Sequence, residues 1–344
     1  MRPRSEEELD EHLSEPRAAT IAALALAPGD IIVLGAGGKM GPTLARMARR
    51  ALDGAGGPAD RRVIAVSRFE GSSSNAEVAL RSAGVETVRC DLLDRDAVAR
   101  LPDAANVVFM AGQKFGTREA PSRTWMMNVV VPAICAERYA GARTVAFSTG
   151  NVYPLTPVGS SGARESDATG PVGEYAASCL GRERVFEYFA KQSGSRVAIM
   201  RLNYAIEPRY GVLTDIATSV VAGRAISLAM GHVNVIWQRD ANRAALELLP
   251  SAASHPNIVN VTGALTLSVR KLALDLGRRL GREPRFEGLE AADALLSNTE
   301  RMQGLLGAPE MEIEAMLAWV AEWVQAGGRL LGKPTHFEAR DGAF

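Results

Sequence analysis

The first residues able to do chemistry are a run of glycines. Ile31-Ile32-Val33-Leu34 passes straight into Gly35-Ala36-Gly37-Gly38-Lys39-Met40-Gly41, followed by Pro42 and a helical pattern. Glycines permit a tight strand-to-helix turn, let the backbone approach a pyrophosphate and allow the helix to pack closely. The free N–H groups and the positive dipole end of the next helix then hold phosphates. Pro42 fits the first helical turn, where its missing N–H costs nothing. The loop therefore reads as a dinucleotide site, with Gly35, Gly37, Gly38, Lys39, Met40 and Gly41 around the phosphates. The next strand, Val63-Ile64-Ala65-Val66, ends in Ser67-Arg68, with no carboxylate for a ribose 2′-hydroxyl. Arg68 is able to pair with a 2′-phosphate and Lys39 adds charge, so the reading favours NADP, with NAD the other dinucleotide. Metal and disulfide chemistry have no support. Cys90, Cys135 and Cys179 are far apart and odd in number, and His12, His232, His255 and His336 are scattered.

The rest of the chain supplies the elements that must hold such a loop. Short β-branched runs alternate with helical stretches from residue 30 onward. The strand candidates are Ile31–Leu34, Val63–Val66, Thr87–Arg89, Val107–Met110, Thr144–Phe147, Val197–Leu202 and Ile258–Val261. Strands separated by helices imply right-handed crossovers and a parallel sheet covered on both faces. The expectation is an α/β protein, a Rossmann-type doubly wound sheet with a smaller C-terminal substrate domain. The main domain covers residues 30–204, with 236–264 returning to it; the smaller one covers 205–235 and 265–344. Residues 1–29 read as a helical extension that packs or solubilises, with Ser5 and Glu8 in a capping-box pattern. Lys+Arg and Asp+Glu both number 39, so no basic excess exists to drive binding to nucleic acid or anionic lipid. The start has no apolar core for a signal peptide, and Ile21 to Ala27 is too short to span a bilayer. A soluble, cytoplasmic protein is expected.

Gly35, Gly38 and Gly41 have the G-x-x-G-x-x-G spacing, and as a set the landmarks after them resemble the extended short-chain dehydrogenase/reductase family, which holds sugar-nucleotide epimerases and dehydratases. Asp91-Leu92 resembles its adenine-contacting pair, and Phe109-Met110-Ala111-Gly112 the small-residue end of its fourth strand, along the cofactor. Asn128 matches a mid-helix asparagine, and Phe147-Ser148-Thr149 with Val152-Tyr153 matches its fifth-strand segment. Arg201-Leu202-Asn203 resembles its sixth-strand region, one residue short. The resemblance spans roughly residues 30–280. The loop alone is also similar to that of dihydrodipicolinate reductases, but nothing downstream supports that reading.

The family's Tyr-x-x-x-Lys motif appears here as Tyr175-Ala176-Ala177-Ser178-Cys179, with Ser178 and Glu183 in register. The resemblance implies that Tyr175 exchanges a proton with the substrate while hydride moves to or from nicotinamide. A phenol has a pKa near ~10 and is a poor base until a cation stabilises the phenolate. The family's lysine supplies that cation and binds the nicotinamide ribose; a thiol at Cys179 does neither well. Lys114, just beyond the fourth strand, is the preferred replacement. Arg182 shares the helical face of Tyr175 but lies about 10.5 Å along the axis. Ser148 and Thr149 are candidates to bond the reacting oxygen, and Lys114, Asn203 and Arg201 to line the substrate pocket, Arg201 having an ion pair as its alternative. Trp319 and Trp323 read as core packing; the tail Pro334-Thr335-His336-Phe337-Glu338 suggests no mechanism.

Two functions follow. The first is an NAD(P)-dependent oxidoreductase or epimerase acting on a sugar, a sugar acid or a similar polyhydroxylated small molecule. The second is a redox-inactive dinucleotide-binding sensor or scaffold that has lost the catalytic lysine. The reactive groups Ser148, Thr149, Tyr175 and Asn128 favour the enzyme. The resemblance also implies a homodimer, formed through helices at Val129–Tyr139 and Tyr175–Ala190, with Val129, Val130 and Val131 as apolar contact surface.

Overall fold

The computed structural model of the protein describes residues 2–55 and 61–342. Continuous apolar runs make strands that are buried on both faces, and the sheet is built from them. Its strands are β1 (Ile31–Leu34), β2 (Val63–Ser67), β3 (Glu86–Arg89), β4 (Asn106–Phe109), β5 (Arg143–Thr149), β6 (Arg196–Leu202) and β7 (Asn257–Val261). All seven are parallel, in the order β7-β6-β5-β4-β1-β2-β3. Every residue of β1 and β4 is buried. The edge strand β3 is the exception, with an exposed Glu86 and Arg89, as an edge strand should be. Chain direction along the sheet reverses between β1 and β4, and the crevice outside the carboxyl ends at such a switch point is where ligands bind in open α/β sheets.

A second body lies over that edge. Helices Val212–Val221, Val269–Leu280 and Ile313–Gln325 bury Val220, Leu276, Val320 and Trp237 in a core separate from the two that flank the sheet. Short strand pairs tie it together, including Ile236–Trp237 beside Ala205–Ile206 and Arg285–Glu287 beside Ala225–Ser227. β7 lies in the main sheet, parallel to β6.

The N-terminal segment joins the two bodies. Ser5 caps helix Glu6–Leu13, its hydroxyl accepting from the Glu8 N–H, while the Glu8 carboxylate accepts from the Arg4 N–H rather than from Ser5. Leu9 and Leu13 of that helix are buried in the second core, whereas Leu24 and Ala27 are buried in the core under the sheet. Between them Arg17 makes a bidentate pair with the buried Glu247, at 2.8 and 2.6 Å, and the Thr20 hydroxyl adds a 2.6 Å bond to the same carboxylate. The segment expected as an appendage has buried side chains in both cores. No helix among the described residues is long and apolar enough to cross a membrane.

If this bridge is structural, Leu13→Ala, at a fully buried position, lowers the unfolding free energy by about 2–5 kcal/mol. Denaturant unfolding measures it. A change below about 0.5 kcal/mol, typical of surface sites, would show the segment to be a loose appendage.

Candidate active site

The glycine loop has the steric signature of a built cradle. Gly35 has φ +91° and lies so close to β4 that an added Cβ would sit 2.6 Å from the Ala111 nitrogen. A Cβ on Gly41 would meet the Ala36 carbonyl oxygen at 2.4 Å, and one on Gly37 the Ser67 hydroxyl at 2.5 Å. Gly38 is different: it is exposed, and its one close neighbour is 3.5 Å away. Three glycines thus let the loop fold against the sheet, and the fourth leaves its outer face open beside the start of helix Gly41–Gly54. These residues fit a diphosphate.

That face opens into a cleft of about 1060 Å³, its solvent-open mouth included, lying between the C-terminal edge of the sheet and the second body. Gly35, Gly38, Lys39, Met40, Gly41, Gly112, Lys114, Ser148, Thr149, Tyr175 and Asn203 all line it. Other expected residues do not. Ala111 is taken up under Gly35 and Gly37 against Ser67, while Arg68, Asp91 and Leu92 lie farther along the sheet. Arg68 is half-exposed, 3.6 Å from Glu70, and Leu92 is buried in the core.

Four assignments need correction. Asn128 is fully buried and reaches no ligand surface. Its amide donates to the Gln113 carbonyl and the Ser178 hydroxyl, and its oxygen accepts from the Gln113 N–H and Arg182, so it positions the loop after β4. It does so from a π-helical turn, Met126–Val130, an irregularity common at functional sites. Arg201 is turned away from the cavity, in a bidentate buried pair with Glu183 at 2.9 and 2.7 Å and a 2.6 Å bond to the Tyr153 hydroxyl. Ser148 does line the cavity, but its single hydroxyl proton is given to Glu183 at 2.5 Å; it has no proton left for a substrate. Lys39 does not face the adenine-ribose end. Its Nζ crosses the cleft to the Ala205 carbonyl at 2.7 Å and sits 4.2 Å from the centre of the Tyr210 ring.

Tyr175, the candidate acid/base, lines the same cavity. Burial raises its pKa well above that of a free phenol, and the Cys179 thiol beside it works in the same direction. Arg182 and a hydrogen bond with Thr149 act against that rise. Burial raises Cys179 as well, so it stays a neutral thiol. Arg182 overcomes its axial distance because its side chain folds back into the cavity. One terminal nitrogen donates to the Phe147 carbonyl at 2.8 Å and the other to the Asn128 oxygen at 2.7 Å, close against Gly112. It is 6% exposed, its Nε has no partner, and no carboxylate lies within ion-pair reach among the described residues. Burial pushes Lys114 down to about 8 and Lys39 down to about 7. Sequence reasoning missed Tyr204, Tyr210 and Thr335, which line the far side. Tyr204 has φ +43°, a strained conformation of the kind that clusters at binding sites.

The model of the NAD dependent epimerase/dehydratase family matches residues 31–261. Solved structures resemble this one at low sequence identity. UDP-glucuronic acid 4-epimerase from Bacillus cereus, in complex with NAD, has 17% identity and a TM-score of 0.71, over 86% of this chain and 98% of that one. dTDP-glucose 4,6-dehydratase from Streptomyces venezuelae, with NAD and TYD bound, has 22% identity and a TM-score of 0.72, over 86% and 97%. UDP-glucose 4-epimerase from Thermotoga maritima has 17% identity and a TM-score of 0.70, over 87% and 99%. The comparison with curated proteins finds no match.

The Glu183 carboxylate accepts from both Ser148 and Arg201 at the back of this site. Glu183→Ala leaves a buried guanidinium without its partner, and unfolding should cost about 3–5 kcal/mol less. Thermal and denaturant unfolding read this directly. A shift under about 1 kcal/mol would mean that water reaches the pair and that it is not the anchor described.

Proposed function

Because the chain belongs to the NAD dependent epimerase/dehydratase family, we propose that it is a nicotinamide-dinucleotide-dependent oxidoreductase or epimerase. Its substrate is a sugar, a sugar acid or a similar polyhydroxylated small molecule. The observation that carries this reading is that Tyr175, its partner Thr149 and the open face of the glycine loop share one cavity at the switch point of the sheet.

The dinucleotide, held by Gly35, Gly38 and Gly41 and flanked by Gly112, supplies the hydride or takes it up. The chain's own residues handle the proton. In the reducing direction a substrate carbonyl gains hydride at carbon and a proton at oxygen from the Tyr175 hydroxyl, and water restores that proton. In the oxidising direction Tyr175 must first lose its proton, which burial and Cys179 oppose. Arg182 is the fixed cation that favours the ionised form, and we assign it part of the role left by the absent lysine. Lys114, at the same cavity, is the second candidate. Among hydroxyls Thr149, not Ser148, is the partner of Tyr175.

The same features give a dinucleotide reading. Lys39 no longer supports a 2′-phosphate, and two of the solved structures described above, the Bacillus cereus epimerase and the Streptomyces venezuelae dehydratase, have NAD bound. Arg68, half-exposed at the end of β2 and 3.6 Å from Glu70, would have to leave that carboxylate to meet a 2′-phosphate, and on that exchange rests acceptance of NADP. Arg68→Ala should weaken NADPH binding by about tenfold, the value of one charged hydrogen bond, and leave NADH binding within about twofold of wild type. Fluorescence titration of both cofactors tests this, and an equal effect on both removes the role given to Arg68.

A homodimer through helix Gly173–Ser193 and the helical stretch before it is also proposed. Val131 cannot contribute, since it is fully buried; Trp125 and Met126, 40% and 42% exposed, replace it as contact surface.

The mechanism is tested by turnover against pH in Tyr175→Phe, Arg182→Met and Lys114→Met, with sugars and sugar acids as substrates. Because the folded-state tyrosine pKa is raised, reduction should hold its rate through neutral pH, whereas oxidation should climb as pH rises toward that pKa. Tyr175→Phe should abolish turnover and spare cofactor binding. Arg182→Met should move the oxidative limb to higher pH, by roughly one unit for each ~1.4 kcal/mol of lost stabilisation. Full activity in Tyr175→Phe overturns the mechanism, and tight cofactor binding with no turnover on any carbohydrate favours a redox-inactive sensor.

A further inference from the structure

The cavity is lined by Lys39, Lys114 and Arg182, and among the described residues no aspartate or glutamate lines it. A wall of three cationic side chains without an acid is complementary to anions. A bound dinucleotide accounts for one part of it. Its diphosphate belongs over the backbone N–H groups that follow Gly35, and Arg182 lies against Gly112. The two amines lie elsewhere. Lys39 begins in the glycine loop but carries its Nζ to Ala205 and Tyr210 of the second body. Lys114 donates to the Thr335 carbonyl at 3.1 Å, on the side of the cavity formed by the C-terminal tail.

Resting on the reading of the cavity as a dinucleotide-dependent active site, we propose that its far end is a receptor for a carboxylate on the substrate, with Lys114 and Lys39 as the charged donors and the C-terminal tail as its outer wall. The substrate is then an acidic polyhydroxylated molecule of the uronic or aldonic type, rather than a neutral sugar.

The tail is built for that place. Thr335 is 2% exposed, and both its N–H and its hydroxyl donate to the Asp215 carboxylate, at 2.8 and 2.6 Å. Asp215 sits in helix Val212–Val221 of the second body. Phe337, two residues on, is buried in the core of that body, and Arg340 bonds the Ala229 and Asp293 carbonyls at 3.1 Å. The Thr335 carbonyl is thereby fixed, and it holds Lys114 facing the cavity. The same carboxylate, Asp215, favours the charged form of both lysines, although burial opposes it. A substrate carboxylate between the amines would complete what Asp215 begins. Neutral groups for the rest of a polyol stand beside them in Asn151, Asn203 and Tyr210.

The test is calorimetric titration of the full-length protein saturated with dinucleotide, using two matched pairs: D-glucuronate against D-glucose, and UDP-glucuronate against UDP-glucose. Within a pair the ligands differ at one carbon, a carboxylate replacing a hydroxymethyl group. The acid should bind at least about tenfold more tightly, as expected for a charge-assisted contact. Lys114→Met should erase the preference, and Lys114→Arg, which keeps the charge, should retain most of it. Equal affinity for acid and neutral partner, a preference that survives Lys114→Met, or failure of both pairs to bind overturns the proposal. If Lys114→Met loses dinucleotide instead, the lysine serves the cofactor and the proposal also fails. Failure of the wild-type protein to bind dinucleotide at all is a different result, and it strikes the functional reading on which this one stands.

Discussion

The active site depends on one buried carboxylate. Glu183 lies in the long helix Gly173–Ser193, two turns after Tyr175, and is 1% exposed. It takes the two nitrogens of Arg201 from β6 and the hydroxyl of Ser148 from β5. Arg201 reaches on to the Tyr153 hydroxyl, which donates to Asn260 in β7. A charged pair removed from water needs all of its hydrogen-bonding capacity met, or burying it is costly. Meeting it here requires the helix and three neighbouring strands to stand in one arrangement. That arrangement sets where Tyr175 and Thr149 point. Ser148 and Arg201 therefore belong to the frame of the site, though they stand beside residues that face the cavity.

Cys179, one turn after Tyr175, acts on this frame in a limited way. Cys179 is fully buried with Val152, Tyr153 and Ala163, and fits as a small apolar side chain. Its position holds no cation, and the tyrosine one turn earlier is held more firmly in its protonated form. The charge that remains enters from Arg182, anchored by Asn128 and the Phe147 carbonyl. A guanidinium is always charged and cannot trade protons with its surroundings. In the proposed mechanism it biases the phenol electrostatically and takes no part in moving the proton.

Much of the architecture was legible in the sequence because parallel strands covered on both faces must be continuous apolar runs. Ile31–Leu34 and Val63–Val66 are such runs, and the glycine spacing after the first marks a candidate phosphate cradle. Residue identity was weaker as a guide to role. Nothing local to Ser148 says that its proton goes to a carboxylate thirty-five positions later. Asn128 stands out in the sequence, but its partners in the β4 loop and at Arg182 are tertiary. The loop neighbours of Lys39 place it at the phosphates, whereas its length lets it cross to Ala205. The rise along the helix axis separates Arg182 from Tyr175, but a flexible arginine reaches back over that distance.

The two chain ends show the same limit from another side. Neither carries a periodic pattern long enough to announce a core, yet both are held by contacts whose partners lie 120 or more positions away: Arg17 and Thr20 on Glu247, and Thr335 on Asp215. Each end closes the molecule at a different level. The N-terminal segment joins the sheet to the second body through buried leucines. The tail crosses the far side of that cleft and sets a backbone carbonyl against Lys114. The cavity's charge is thus presented by one wall of the cleft and oriented by the other. Any ligand that uses it must touch the sheet and the second body together, so the site exists only while the two bodies stay docked.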